Sequence, residues 1–376
     1  MQRIDNLTPI TAAEWPRIRD VTIPLQISGS EGSSTMELLL EQAVCFTGSP
    51  EARRLENPDD PAVAARLFGL YAQVEPQIQL GTRRFRVESN GTSYRCQLGE
   101  NATHQDIQLR VLPSDVPTLN DLNIPDAWRA LMMDQSLLNG GLVLITAPNG
   151  QGKTTTASAI VRSRLERYAG LANTCEDPIE LPLQGAWGKG LCYQRPANET
   201  GDDANPGEGY HRALLDALRQ FPAITGGGTI LFVGEVRDAR TAAETLKAAS
   251  NGHLVIATVH ARSAAGAVRR MATLATSNAD GMDLETVRET LAENLRGIFY
   301  QRLLWQKEGS GWGAAQVRGE VLWSEKPESA LAKAIRAGQF AAITEIAKNQ
   351  TSRLLPLEST ASVSADQVRK ALAETI

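Results

Sequence analysis

Cysteine is scarce in this 376-residue chain: Cys45, Cys96, Cys175 and Cys192 are scattered, with no Cys-x-x-Cys pair. That spacing excludes a disulfide framework and a zinc site, and reads as free thiols in the cytosol. Long apolar runs are missing too. No stretch approaches the roughly eighteen apolar residues of a membrane span. The start, MQRIDNLTPITAAEW, has neither a basic flank nor an apolar core, so no secretory signal is expected there. Excess positive charge is absent: the net charge is −5, and the 5% of aromatic residues do not interleave with basic ones. Both facts count against nucleic acid as a direct ligand. What remains, 42% hydrophobic and 22% charged residues, suits an ordinary globular chain of about two or three domains.

The most informative stretch runs from Leu142 to Thr156, LVLITAPNGQGKTTT. Leu142-Val143-Leu144-Ile145 reads as a buried strand, and Lys153-Thr154-Thr155-Thr156 opens a helix. Between them, Ala147-Pro148-Asn149-Gly150-Gln151-Gly152-Lys153-Thr154-Thr155 fits the phosphate-binding loop, with Ala147 in place of the usual first glycine. Gly150 and Gly152 leave backbone N–H groups free to close around phosphate oxygens. The helix N-terminus adds its own N–H groups and partial positive charge. Lys153 is expected on the β- and γ-phosphates of ATP, and Thr154 on Mg²⁺.

Residues 1–112 read as an N-terminal α+β domain. Met36 to Val44 and Pro61 to Tyr71 have helical patterns, while Arg83–Val87, Tyr94–Leu98 and Ile107–Val111 alternate as half-buried strands. Ser89-Asn90-Gly91-Thr92 is a hairpin turn by composition. Pro113, Pro117 and Pro125 mark residues 113–125 as a stiff linker. From 126 to 376 strands and helices alternate, as in a parallel sheet covered by helices. Strands are expected at Thr229–Val233 and Leu254–Val259. Helices are expected at His211–Gln220, Ala239–Ser250, Ser263–Leu274, Asp283–Ile298, Ala330–Ala337 and Ala365–Ala373. Gln301–Trp305 and Gln316–Leu322 form a hairpin on this reading.

Further candidates follow those strands. Glu235 ends an apolar strand, at the sheet edge where ligands bind in doubly wound folds, and suits a base for the attacking water. Gly234 stands just before it, in a region where many phosphate-loop enzymes carry a metal-binding Asp. Glu176-Asp177-Pro178-Ile179-Glu180 is a dense acidic segment, either a solvated loop or a site for Mg²⁺ and water. His260 ends another apolar strand, where it either packs or senses the γ-phosphate.

The set Ala147–Thr156, Glu176–Glu180, Gly234-Glu235-Val236-Arg237-Asp238 and Gly252-His253-Leu254 through Thr258-Val259-His260 resembles the PilT/GspE family of secretion and type IV pilus ATPases. Four family boxes occur in the family's order, and the resemblance covers about residues 113–323. Length and the short N-terminal domain look most like the DotB/TraJ branch, from Dot/Icm-type secretion and IncI-type conjugation. The resemblance implies a RecA-like P-loop NTPase domain with a smaller N-terminal α+β (PAS-like) domain. It further implies a Mg²⁺-dependent, homohexameric ATPase, cytoplasmic and held peripherally at the inner membrane by a membrane component of its machine. On it, Glu235 is the catalytic base, Glu176 and Glu180 form the acidic box, His260 is the histidine-box residue, and Arg95 and Arg110 reach the nucleotide. The chain departs from the family pattern at Ala223, at Leu215 and in an Ile-Thr-Gly-Gly-Gly insertion between Phe221 and Thr229. Two other readings stay open at this point: a DNA-translocating motor of the same broad class, and a nucleotide-gated platform with negligible turnover.

Overall fold

The computed structural model describes residues 18, 20–28, 35–39, 43–46, 52–54, 61–79, 83–100, 105–197, 206–220, 228–277, 282–305, 307–308, 311–312, 315–359 and 363–373. Ala223 and most of the Ile-Thr-Gly-Gly-Gly insertion lie outside the described residues. The chain forms two compact units, Met1–Asp115 and Val116–Ile376.

The first unit is one antiparallel sheet with a helix. Its strands are β1 (Asp20–Ser28), β2 (Thr35–Leu38), β3 (Val44–Phe46), β4 (Ala52–Arg54), β5 (Arg84–Ser89), β6 (Thr92–Glu100) and β7 (Gln105–Leu112), and its helix is α1 (Pro61–Gln79). The strand order is β4-β3-β1-β7-β6-β5, with β2 also pairing to β1. Every second residue turns inward, as the pleat requires: Val21, Ile23 and Leu25 from β1, and Ile107 and Leu109 from β7. The helix adds Leu70, Val74 and Ile78, one stripe at four-residue spacing. The β5–β6 turn places Asn90 and Gly91 at φ 51° and 73°, the paired positive values that a two-residue hairpin with the strands' own twist needs.

One expectation here is corrected. Met36 to Val44 is not a helix; Thr35–Leu38 pairs with β1 through Leu25↔Leu38, and Val44–Phe46 pairs with β1 through Val21↔Cys45. A sheet edge offering backbone partners overrides the weak helical preference of MELLLEQAV.

The second unit opens with α2 (Asp126–Met132), β8 (Gly141–Thr146), α3 (Lys153–Tyr168), β9 (Gly170–Glu176), β10 (Gly185–Trp187), β11 (Gly190–Pro196) and α4 (Pro206–Gln220). It continues with β12 (Ile230–Val233), α5 (Ala239–Ser250), β13 (Leu254–Val259), α6 (Ala264–Ala275), α7 (Leu284–Asn294) and β14 (Leu295–Leu304). A two-strand ribbon, β15 (Lys307–Glu308) and β16 (Gly311–Trp312), precedes β17 (Gln316–Trp323). Then come α8 (Ala330–Arg336), α9 (Phe340–Leu354) and α10 (Ala365–Ala373). The main sheet has the order β10-β11-β9-β12-β13-β8-β14-β17, parallel from β11 to β14 with an antiparallel strand at each edge.

The central strands are buried on both faces, which is why they read as unbroken apolar runs. Leu142 and Leu144 of β8 enter one apolar layer, and Val143 and Ile145 enter the layer on the opposite face. Val116, Leu119 and Ile124, from the proline-rich stretch, are buried in the second layer. The helix expected over Asp283–Ile298 stops at Asn294; Leu295 onward is β14, which runs parallel to β8. A short apolar run does not distinguish a buried strand from a buried helix by period alone. No helix among the described residues is long and apolar enough to cross a membrane.

Candidate active site

Four parallel strands end at one edge of the second sheet, and the chemistry-bearing residues follow them. The phosphate loop leaves β8 and enters α3. Gly150 and Gly152 have φ of 71° and 74°, left-handed values that glycine adopts without strain. Gly152 is the N-cap of α3 and offers no side chain to its first-turn amides, which remain open to an anion. Ala147 is fully buried and outside the left-handed region, so the methyl group costs nothing there.

Lys153 is buried, and its ammonium donates to Pro148 O at 3.2 Å and meets His260 Nδ1 at 3.1 Å. A lysine ammonium only donates, so Nδ1 accepts and the imidazole proton sits on Nε2. Nε2 lies 2.9 Å from Glu235 Oε1. Glu235 Oε2 faces Arg237 Nε at 3.4 Å, and Arg237 pairs onward with Asp177 Oδ2 at 3.2 Å. A continuous chain, Lys153–His260–Glu235–Arg237–Asp177, therefore ties together the loops after β8, β13, β12 and β9. Burial pulls the Lys153 ammonium below its usual range, against the opposing charges of Glu235 and Glu180. Burial and then the Lys153 charge hold His260 below the ordinary imidazole value.

The acidic segment divides. Glu176 is the last residue of β9 and is 2% exposed; Gln194 Nε2 donates to its Oε1 at 3.0 Å, and its Oε2 has no partner among the described residues. Burial pushes this carboxyl up to about 7. Asp177 joins the ion-pair chain, and its N–H donates to Tyr210 Oη at 3.0 Å. Glu180 stands within electrostatic reach of Lys153. Asp238 caps α5, accepting from Thr241 N at 2.9 Å, a structural role for the residue that follows Arg237.

Arg95 and Arg110 belong to the first unit, where they stand opposite each other on β6 and β7. Arg110 Nε pairs with Asp20 Oδ1 at 2.7 Å. Arg269, from the basic cluster Arg262, Arg269 and Arg270, lies over the Phe340 ring at 4.6 Å.

Sequence reasoning missed Arg237 as the bridge between two carboxylates, Tyr210 as the support of Asp177, and Gln301, whose Nε2 donates to the main-chain oxygen of Gln151 at 2.6 Å.

No group of three or more His, Cys, Asp or Glu side chains placed to hold a metal occurs among the described residues. Thr154 stands in the first turn of α3 beside Lys153 and brings one hydroxyl there. That donor set fits a magnesium ion held chiefly by phosphate oxygens and water, with one protein hydroxyl.

Residues 78–375 match the family model described as type II/IV secretion system protein. The type IV pilus retraction ATPase PilT of Pseudomonas aeruginosa is 29% identical over 310 residues, 79% of this chain and 81% of the relative. The twitching motility protein of Neisseria gonorrhoeae is 34% identical over 203 residues, 54% of this chain and about half (48%) of the relative's own length. The crystal structure of the ATPase DotB from Yersinia pseudotuberculosis shares the fold, with a TM-score of 0.65 and 18% identity over 96% of this chain and 91% of that one. The chain belongs to the type II/IV secretion system protein family, the PilT/GspE group that its four motifs resemble.

Proposed function

We propose that this chain hydrolyses ATP with Mg²⁺ and works as a homohexameric motor on the cytoplasmic side of a secretion, conjugation or type IV pilus machine. The DotB-like fold favours the DotB/TraJ branch, which carries a PAS-like first unit with it. The motor attaches peripherally to the inner membrane through a membrane partner, and turnover drives motion between its two units. The observation that carries this reading is the chain Lys153–His260–Glu235, which connects a phosphate cradle after β8 to a carboxylate after β12, across the intervening β13.

The chemistry follows from those residues. ATP phosphates dock on the open amides of α3 and on the loop amides freed by Gly150 and Gly152. Lys153 turns from Pro148 O and His260 to the β- and γ-phosphates. Thr154 contributes to holding Mg²⁺, which neutralises phosphate charge when bound. Glu235, held by its contact with Arg237, orients the attacking water and accepts its proton. His260 fixes the direction of the Glu235 carboxylate and, once Lys153 has moved, has its Nδ1 free to register the loaded loop.

Lys153→Ala tests the site. ATP binding and phosphate release should both be lost, and parental turnover in this variant would overturn the reading. Assays with and without single-stranded DNA separate the DNA-motor alternative, for which stimulation by DNA is expected. A platform with negligible turnover would release no phosphate in steady state.

A further inference from the structure

We propose that Gln301 is a positioning residue of the phosphate loop, holding from β14 the peptide that aims the Gly152 N–H into the cradle. The proposal rests on the reading above, in which that cradle binds ATP.

Gln301 is 1% exposed, on a strand whose neighbouring inward positions, Phe299 and Leu303, are apolar. Its Nε2 donates to the main-chain oxygen of Gln151 at 2.6 Å. Gln151 returns the contact: its side-chain Oε1 accepts from the Leu303 N–H at 2.8 Å. Two residues of one strand thus clasp one residue of the loop, by its backbone and by its side chain. β14 pairs with β8 up to Tyr300↔Thr146, so Gln301 stands just where β8 gives way to the loop.

The direction of the clasp matters more than its strength. In a planar trans peptide the C=O and N–H groups point opposite ways. Drawing the Gln151 carbonyl toward β14 therefore turns the Gly152 N–H away from β14, into the hollow of the loop. Gly152, at φ +74°, sits against Gln301 itself, with its absent Cβ 3.4 Å from Nε2. The loop glycines are conformationally free by composition. The clasp removes that freedom at the peptide that leads into Gly152, the N-cap of α3.

The amide's orientation supports a service role. Only Nε2 can meet the Gln151 carbonyl, and this leaves Oε1 buried with no partner among the described residues. A buried amide with an unmet acceptor gives the strand no stability that an apolar side chain would not give. Its one product is the bond to the loop.

The test uses the full chain and steady-state kinetics with ATP and magnesium. Gln301→Leu keeps the bulk and loses the donor; KM for ATP should rise about tenfold, the worth of roughly one positioned hydrogen bond, with kcat at saturation nearly unchanged. Gln301→Glu keeps the shape, and its carboxylate would face the Gln151 carbonyl, so it should do no better than Gln301→Leu. Gln151→Ala removes only the side-chain half of the clasp and should raise KM by less. The thermal midpoint of Gln151→Ala should match that of the parent, so its effect is not one of folding. If Lys153→Ala is inactive while both Gln301 variants keep the parental KM, the clasp is refuted and the site stands. If Gln301→Leu does not fold, a parental KM in Gln151→Ala refutes the clasp. Full activity in Lys153→Ala would bring down both the site and the clasp.

Discussion

Glu176 crowds the position that a side chain at Gly234 would take: a Cβ on Gly234 would stand 3.2 Å from Glu176 Cγ and 3.2 Å from the Cys175 oxygen, a tight contact. The Gly234 N–H donates to that same oxygen at 2.8 Å, locking the two strand ends together. The glycine found where other phosphate-loop enzymes carry an acid thus has a steric cause. The carboxylate is on the neighbouring strand, already filling the gap.

Gly234→Asp should therefore destabilise the second unit. Overpacking alone costs about 1–3 kcal/mol, and a second carboxylate beside buried Glu176 adds repulsion. Thermal unfolding should show a clear drop in midpoint. An unchanged midpoint would mean that the strand ends separate more readily than their spacing indicates.

Glu176 also sets a pH dependence. Its folded-state pKa of about 7 lies above its ordinary 4.5, so the folded protein binds the proton more tightly than the unfolded chain does. This contribution is fully present below about pH 4.5 and is lost as pH rises through 7. At about 1.4 kcal/mol per unit, the change between pH 4.5 and 8 is on the order of 3 kcal/mol. Glu176→Gln, neutral throughout, should flatten that decline and be the more stable protein at pH 8. Denaturant melts of parent and variant at pH 5.5 and 8 compare the slopes. Parallel slopes would contradict a buried, protonated Glu176.

Glu235→Gln keeps the size of the side chain but cannot take a proton from water. ATP binding should survive, since Lys153 and the loop amides remain. Turnover should fall by about 10²- to 10⁴-fold. Were Glu176 or Glu180 the base, Glu235→Gln would keep most of its activity and the matching Glu→Gln variant would lose it. ATP affinity and phosphate release for the three variants decide the matter.

Arg110 offers a test of the family role of the first unit. Its pair with Asp20 is about half exposed on both sides, so breaking it should cost about 0–1 kcal/mol. Arg110→Ala should leave the thermal midpoint close to the parent's and still weaken ATP turnover. Equal turnover would remove Arg110 from the nucleotide's neighbours.

The proposed ring has its own check. Head-to-tail contacts that close on themselves yield a discrete assembly rather than a filament. Light scattering with a saturating ATP analogue at micromolar protein should report a hexamer. Monomer alone under those conditions would count against the ring.

Much of this was legible in the sequence, for physical reasons that differ from element to element. LVLIT and LVIATV are strands buried on both faces, and burial on both faces demands unbroken apolar residues, so β8 and β13 announce themselves. The phosphate loop is legible because its backbone requires glycine at 150 and 152. β2 was hidden because its conformation comes from pairing with β1, through Leu25↔Leu38 to Ser28↔Thr35, not from its own period. α9 packs Ile343, Ala347 and Leu354 inward and went unread among mixed polar residues. The ion-pair chain could not be foreseen either. Arg237, Asp177 and His260 meet only because β12, β9 and β13 end side by side.

That chain has one more consequence. Lys153 and Arg237 alternate with Glu235 and Asp177 around a neutral imidazole, so the formal charges cancel. These five side chains neutralise one another. On the proposed reading, an incoming polyphosphate does not quench a lone cation; it takes Lys153 from partners that already satisfied it. Loading becomes an exchange of partners, and unloading restores the first set. For a machine that must let go of its product on every stroke, a moderate grip of this kind favours cycling over capture.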